Sequence, residues 1–312
     1  MTDRAAPSLV SVVIPCFNQA HFLAEAIESA LDQDYPAIET VVVDDGSVDN
    51  ACEVAARYPE VKRLRQANRG VAAARNHGLA ESSGAFVIFL DADDRLLPGA
   101  VTIGVEALRK RPGVAFASGM SRDIGEDGRV IRGTQQPLVS QDHYLHLLED
   151  CFIWSGSSAV YRRSAVEGVG GFDEGLEAGD DYRLYLEIAR RQPIFCHAEV
   201  VTEYRRHGSN ATRDPALVLS SETRVLRGQR SNLRDRRDRA AWRRGMRNVR
   251  ARHGRAIAEL AAGDWLSGRR RKSLRGLRTL ALHRPAELAR FARQALATRG
   301  LGSPPLSLGG AS

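Results

Sequence analysis

The sequence predicts an α/β fold: a Rossmann-like, mostly parallel sheet flanked by helices, followed by an arginine-rich α-helical C-terminal region. Three observations carry that expectation. Short apolar, β-branched runs alternate with helix-period segments from residue 8 to residue 90. Several of these runs stop at polar or acidic residues, where strands of an open sheet present their carboxyl ends to a ligand crevice. Beyond Asp214-Pro215 the strand patterns cease and the charge changes sign.

Taken in order, Ser8–Phe17 is a strand punctuated by Pro15 and Asn18, and Ala20–Gln33 spaces its apolar residues as one face of a helix. Ile38–Val43 is a buried strand ending at Asp44-Asp45-Gly46-Ser47, which also suits a turn and a helix cap. A helix over Val48–Arg57, a strand over Val61–Leu64 and an alanine-rich helix over Gly70–Ala80 follow. The strand Ala85–Leu90 then runs into Asp91-Ala92-Asp93-Asp94. Further on come a helix at Val101–Arg111, a strand at Val114–Ser118, a hairpin around Glu126-Asp127-Gly128 and a short helix at Gln141–Asp150. Ser157–Tyr161 is a strand, Val169–Phe172 a tight turn, Tyr182–Arg191 a helix and Pro193–Tyr204 the last strand. The fingerprint G-x-G-x-x-G is missing after the first strand, which disfavours a dinucleotide dehydrogenase.

With 312 residues, 43% hydrophobic and 27% charged, the chain has the make-up of a globular protein with room for one large domain and an appendage. No apolar run reaches the length of a membrane span, and Leu9–Ile14 reads as a strand rather than a signal peptide. Cys16, Cys52, Cys151 and Cys196 are scattered without C-x-x-C spacing, which suits reduced thiols in a cytoplasmic protein and not a zinc site. Residues 216–299 hold 23 Lys and Arg against 6 Asp and Glu, so the rest of a chain of net charge +7 is acidic. The expected division is therefore 1–215 as the α/β domain, 216–299 as a basic amphipathic helical region and 300–312 as a disordered, Gly/Ser/Pro-rich tail.

Asp91-Ala92-Asp93 offers hard oxygen ligands suited to Mg²⁺ or Mn²⁺, and a divalent ion can hold a diphosphate. By itself the stretch is equally well read as a cap for the helix that follows Pro98. The set of motifs is more specific than any one of them. Val13-Ile14-Pro15-Cys16-Phe17-Asn18, Val43-Asp44-Asp45-Gly46-Ser47, Gly70–Asn76, Asp91–Asp94 and Gly179-Asp180-Asp181 occur in this order. In that arrangement residues 8–212 resemble the family 2 glycosyltransferases of the GT-A fold.

The resemblance implies inverting transfer of a sugar from a nucleotide diphosphate donor, with a UDP-sugar as the expected donor, to an acceptor hydroxyl. The acceptor would be a glycan or a lipid-linked sugar in polysaccharide, glycolipid or glycoconjugate synthesis. It implies that Pro15 and Phe17 border the base and ribose, with Asp44 accepting hydrogen bonds from either. Arg75 and Asn76 would hold the donor near its diphosphate, Asp91 would contact ribose or sugar, and Asp93 would coordinate the metal. His207 would complete the metal or diphosphate site, Trp154 would face the acceptor, and Asp181 would be the general base. This chain has Asp-Asp where the family usually has Glu-Asp, so only the second acid, Asp181, inherits that role. The alternative is a non-catalytic nucleotide-sugar-binding scaffold of the same fold. A nucleotidyltransferase would want a Gly-rich loop and a Lys after the first strand, which Pro15-Cys16-Phe17-Asn18 does not supply.

The basic helices allow three partners: an anionic membrane surface met through residues 240–299, the acidic front of the protein or a second subunit, and nucleic acid. Nucleic acid is disfavoured because stacking aromatics and known motifs are lacking. The first partner would place the protein peripherally on the inner face of the cell membrane.

Overall fold

A computed structural model describes residues 7–134, 136–208, 210, 213–283 and 288. The first half repeats strand and helix: β1 (Val10–Cys16), α1 (Ala20–Leu31), β2 (Ile38–Asp44), α2 (Ala51–Ala55), β3 (Lys62–Arg65), α3 (Val71–Ala80) and β4 (Phe86–Phe89). Here every neighbouring pair is parallel, β3 on β2, β2 on β1 and β1 on β4. The α2 helix is shorter than its sequence pattern because residues 47–50 are spent stitching loops together. Asp49 accepts from Ala20 N at 2.9 Å, and Asn18 accepts from Val48 N at 2.8 Å.

The second half contains β5 (Arg95–Leu96), α4 (Ala100–Arg109), β6 (Phe116–Ile124), β7 (Val130–Arg132), α5 (His143–Glu149), β8 (Ala159–Arg162), α6 (Arg163–Glu167), α7 (Asp180–Ala189) and β9 (Phe195–Arg205). These strands make the sheet mixed, which corrects the expectation of a mostly parallel one. β8 enters antiparallel between β4 and β6, and β5 and β7 run antiparallel to β9 and β6. Among the described residues β6 and β9 form the one further parallel pair. Parallel neighbours need a crossover, usually a helix, and beyond β4 that regular alternation ends. β6 instead folds directly into β7 through the turn at Gly128, whose φ of 77° favours glycine.

Two apolar layers lie on the two faces of the sheet. Val12, Ile14, Val42 and Ile88 meet Leu23 and Ile27 of α1 and Val105 and Leu108 of α4. Val13, Val43, Val87 and Phe89 belong to the opposite layer with α3, α5 and α7. The alternation within each strand is the two-residue period of a sheet covered on both sides.

Three further helices, α8 (Pro215–Gly228), α9 (Arg236–Leu266) and α10 (Arg270–His283), extend this second layer. Ala241, Met246, Val249, Ile257 and Ala258 of α9 are buried in it, while Arg243, Arg244 and Arg247 face outward. Arg244 reaches Glu149 at 2.5 Å and Arg252 pairs with Asp150, so basic α9 is clamped on the acidic end of α5. The apolar face of α9 is therefore occupied by the protein itself. Among the described residues no helix is long and apolar enough to cross a membrane, and all four cysteines are free thiols. Of the third amphipathic segment (Leu288, Phe291, Ala295, Leu296) only Leu288 is described, packed half-buried on the same layer. The tail 300–312 lies outside the described residues.

Gly245 sets how closely α9 approaches α5: a Cβ there would stand 1.9 Å from the Leu148 carbonyl oxygen. Alanine in a helix interior is normally worth up to about 1 kcal/mol over glycine. Gly245→Ala should nonetheless destabilise by about 1–3 kcal/mol through overpacking against backbone, visible as a lower urea midpoint. An unchanged or raised midpoint would show that α9 does not rest on α5 in this way.

Candidate functional site

The centre of the site is Arg75 on α3. Gly78, one turn on, lets this helix press on β1, since a Cβ at 78 would meet Val13 Cγ1 at 2.3 Å. Arg75 Nη2 reaches Asp91 Oδ1 at 2.5 Å and Nη1 reaches Asp180 Oδ2 at 2.6 Å. Its Cζ stands 5.2 Å from the Phe172 ring centroid. Burial disfavours the charged guanidinium, but Asp91 and Asp180 outweigh it and hold the proton firmly. Asn76, the next residue, turns its amide to the neighbouring loop, accepting from Phe172 N at 2.9 Å and donating to Phe172 O at 3.0 Å. It fixes the aromatic floor beneath Arg75.

The three acids after β4 have separate environments. Asp91 is part-exposed and its backbone N–H donates to Ser157 Oγ at 3.1 Å. Asp93 Oδ2 receives Gln19 Nε2 at 3.0 Å and lies 2.7 Å from His207 Nε2. Burial and the Asp91 charge push the Asp93 pKa up, and His207 opposes them. Asp94 is buried, accepting from Ser157 Oγ at 2.8 Å and from Arg205 N at 3.1 Å, and burial pushes its pKa well up. None of the three caps the next helix: the N-cap of α4 is Gly99, with no side-chain cap.

Asp181 stands in the first turn of α7, after Gly179 at φ 73°. It is half-buried, and its Oδ2 would be 3.8 Å from a Cβ placed on Gly156. Burial and the adjacent Asp180 raise its pKa to about 6 against the pull of Arg75. Trp154, 48% exposed, lies two residues before Gly156 on the same loop.

The remaining predicted residues sit at the carboxyl edge of the parallel strands, where Cys16 pairs with Asp44. Pro15 is buried in β1 and Phe17 is 45% exposed just beyond it. Asp44 Oδ1 caps its own turn by accepting from Ser47 N at 2.8 Å, and Oδ2 accepts from the Cys52 thiol at 2.8 Å. Burial works against ionisation there, but those bonds and Arg65 hold the pKa low. Asp44, Cys52, Leu64 and Arg65 line an open cavity of about 250 Å³. The neighbouring Asp45 receives Gly70 N at 2.8 Å and Arg69 N at 3.0 Å, tying β2 to the start of α3.

The chemistry of the Asp93–His207 pair, one carboxylate and one imidazole in contact, fits half a site for Mg²⁺ or Mn²⁺. Among the described residues no group of three or more His, Cys, Asp or Glu is arranged to hold a metal. A cation seated here would need donor oxygens from a ligand, as Mg²⁺ commonly takes from phosphates.

Arg205 is the residue that sequence reasoning missed. Fully buried, it donates through Nε to Asp93 O at 2.9 Å, through Nη1 to Glu126 O at 3.0 Å and through Nη2 to Glu25 Oε2 at 2.7 Å. Its Cζ stands 4.7 Å from the Phe22 ring, which also packs 4.9 Å from His207. The available signal was its placement two residues before His207 on a strand otherwise rich in β-formers, but nothing local names its partners.

A model of glycosyl transferase family 2 matches residues 11–170. An uncharacterized glycosyltransferase of Nostoc sp. (strain PCC 7120) is 35% identical over 231 residues, 68% of this chain and 69% of its own length. A chondroitin synthase of Escherichia coli is 29% identical over 211 residues, 65% of this chain but 30% of that one. Similarly, the chain spans about a third of the length (34%) of its uncharacterized glycosyltransferase relative in Rickettsia felis. Among solved structures, residues 1–349 of S. aureus TarS in complex with UDP superpose with a TM-score of 0.63 at 17% identity, over 94% of this chain and 91% of that one. The mannosyltransferase PcManGT of Pyrobaculum calidifontis, in complex with GDP-Man and Mn²⁺, gives 0.61 at 21% identity, over 95% and 90%. At these identities the structures bear on the fold alone, a GT-A-like α/β architecture with C-terminal helices.

Two stability measurements test the geometry. Arg75→Gln leaves two carboxylates facing each other without a cation and should cost about 3 kcal/mol. Asp181 has a folded pKa of about 6, above the usual 3.8, so ionising it costs stability as pH rises between those values. Asp181→Asn should therefore raise the melting midpoint at pH 7 by a few degrees, with the gain gone below about pH 4. A midpoint lowered at pH 7 would show that the carboxylate is stabilised in place.

Proposed function

The chain belongs to glycosyl transferase family 2, and on that premise we propose that it is a metal-dependent inverting enzyme. As a member it transfers a sugar from a nucleotide-sugar donor to an acceptor. The proposed donor is a UDP-sugar and the proposed acceptor a hydroxyl on a growing polysaccharide, glycolipid or other glycoconjugate. The UDP of the TarS complex and the Mn²⁺ of the mannosyltransferase complex support the donor and the metal. The chondroitin synthase relative supports a glycan acceptor. One observation carries the mechanism: Arg75 joins Asp91 to Asp180, setting the acidic turn after β4 beside a carboxylate, Asp181, whose pKa is about 6.

In this reading residues 1–215 carry the chemistry, with α8, α9 and α10 as its helical buttress. The nucleotide lies along the carboxyl edge of β1 and β2, its base against Phe17 and Pro15 and within reach of Asp44. Asp91 receives the ribose or sugar, its orientation fixed by Arg75, while Asn76 holds the floor under Arg75. Asp93 and His207 would hold the divalent ion, which supplies positive charge to a departing diphosphate. Trp154 offers an aromatic face to the acceptor. The acceptor oxygen attacks the anomeric carbon opposite the leaving nucleotide diphosphate, and its proton passes to Asp181. A pKa near 6 leaves Asp181 mostly ionised at pH 7 while keeping it basic enough to take that proton.

Asp181→Asn should leave donor affinity near wild type while kcat falls about 10³-fold. Lost donor affinity with intact turnover would show that Asp181 is not the base. Wild-type kcat should be level above about pH 6 and fall tenfold per unit below it, following ionisation of Asp181. Asp93→Ala should abolish transfer that depends on Mn²⁺ or Mg²⁺, and unaltered activity would remove the metal assignment. Sugar nucleotides should raise the melting midpoint in proportion to their affinity. Saturable donor binding without transfer or hydrolysis across a range of acceptors would instead indicate a scaffold.

A further inference from the structure

We propose that the solvent-facing side of α10 docks on an anionic lipid bilayer surface. The proposal is independent of the sugar chemistry above and rests on how this helix divides its residues. Ser273 and Leu280 are fully buried, and Gly276 faces Ala261 of α9 closely enough that a Cβ would stand 3.2 Å from the Ala261 Cβ. Ser273 Oγ donates to Ala261 O at 2.7 Å, which fixes the rotation of α10 about its axis. The opposite side is thereby committed to solvent. It presents Leu274 and Leu282, 57% and 68% exposed, at the spacing of one helical face with Arg271, Arg275 and Arg278.

The helix carries five cations and no acid along RRKSLRGLRTLALH. Among the described residues the one carboxylate within ion-pair reach of α10 is Asp214, 3.9 Å from Arg275. Exposed leucines cost nothing in a membrane headgroup region, and unneutralised arginines gain there. A basic face with interspersed leucines therefore matches a surface of anionic lipid. A second copy of the chain across a two-fold axis would set this cationic face against itself. Nucleic acid is less well matched, since the face has arginines but no aromatic residue on which a base could stack.

The test is sedimentation of the full chain with vesicles of phosphatidylcholine, alone or with about 30% phosphatidylglycerol, at ~0.1 M salt. The chain should sediment with the anionic vesicles and not with the neutral ones, and ~0.5 M salt should release it. Arg271→Gln with Arg278→Gln should weaken the partition about 30-fold, and Leu274→Ser with Leu282→Ser should weaken it severalfold. The melting midpoints of both double variants should stay near wild type, because these side chains face solvent. Equal partition onto neutral vesicles, or variants that partition like wild type, would overturn the proposal. So would tighter binding to a single-stranded oligonucleotide than to the vesicles, or a dimer that the same substitutions dissociate.

Discussion

A buried guanidinium can stay charged only if carboxylates come to it, and Arg75 brings together two that are far apart in sequence. Its ion pairs with Asp91 and Asp180 join α3, the turn after β4 and the first turn of α7. Removing Arg75 leaves two carboxylates without their cation, and removing either carboxylate leaves guanidinium donors unpaired in a poorly solvated place, which is why the arrangement is stiff. The same contact fixes Asp180 next to Asp181. Of these two neighbouring acids, only Asp180 is paired with the arginine. One anchors, and the other is left with its pKa raised.

Around this centre the protein uses a second buried arginine for a different task. Arg205 spends its donors on the backbone of Asp93, on the β6–β7 turn and on Glu25 of α1. It thus seats the strand that delivers His207 against the turn that delivers Asp93. Asp94 completes the joint by accepting the Arg205 backbone N–H, with Ser157 on its other oxygen. The acidic turn after β4 is therefore held from three sides, by Arg75, Arg205 and Ser157. A loop so constrained holds Asp91 and Asp93 in place, and under the proposed function that preorganisation would lower the cost of binding.

The C-terminal helices show why patterns of charge and apolarity need a structure to be read. Along the sequence α9 and α10 look alike, arginines interleaved with apolar residues. In the fold α9 buries its apolar stripe in the layer that covers the sheet, and it sets exposed arginines on Glu149 and Asp150. α10 divides its leucines, Leu280 inward and Leu274 and Leu282 outward. Packing against α9 at Ser273 and Gly276 makes that division, and helix period alone does not.

Alternation of short apolar runs with helical spacing made the parallel half legible, since β1 to β4 and their helices follow from local periodicity. The ordered motifs made the family legible, and with it most of the residues proposed for the candidate site. The sequence by itself also determined the acidic front and basic rear, because charge is a sum over residues and needs no geometry. What only the tertiary structure decided is pairing at a distance. The antiparallel insertion of β8, the pairing of Arg75 with Asp180, the partners of Arg205, and the use of the Asn76 amide on Phe172 join residues some 74 to 180 positions apart. No local propensity specifies such contacts; they are chosen by which buried charge or amide must be satisfied once the sheet has closed.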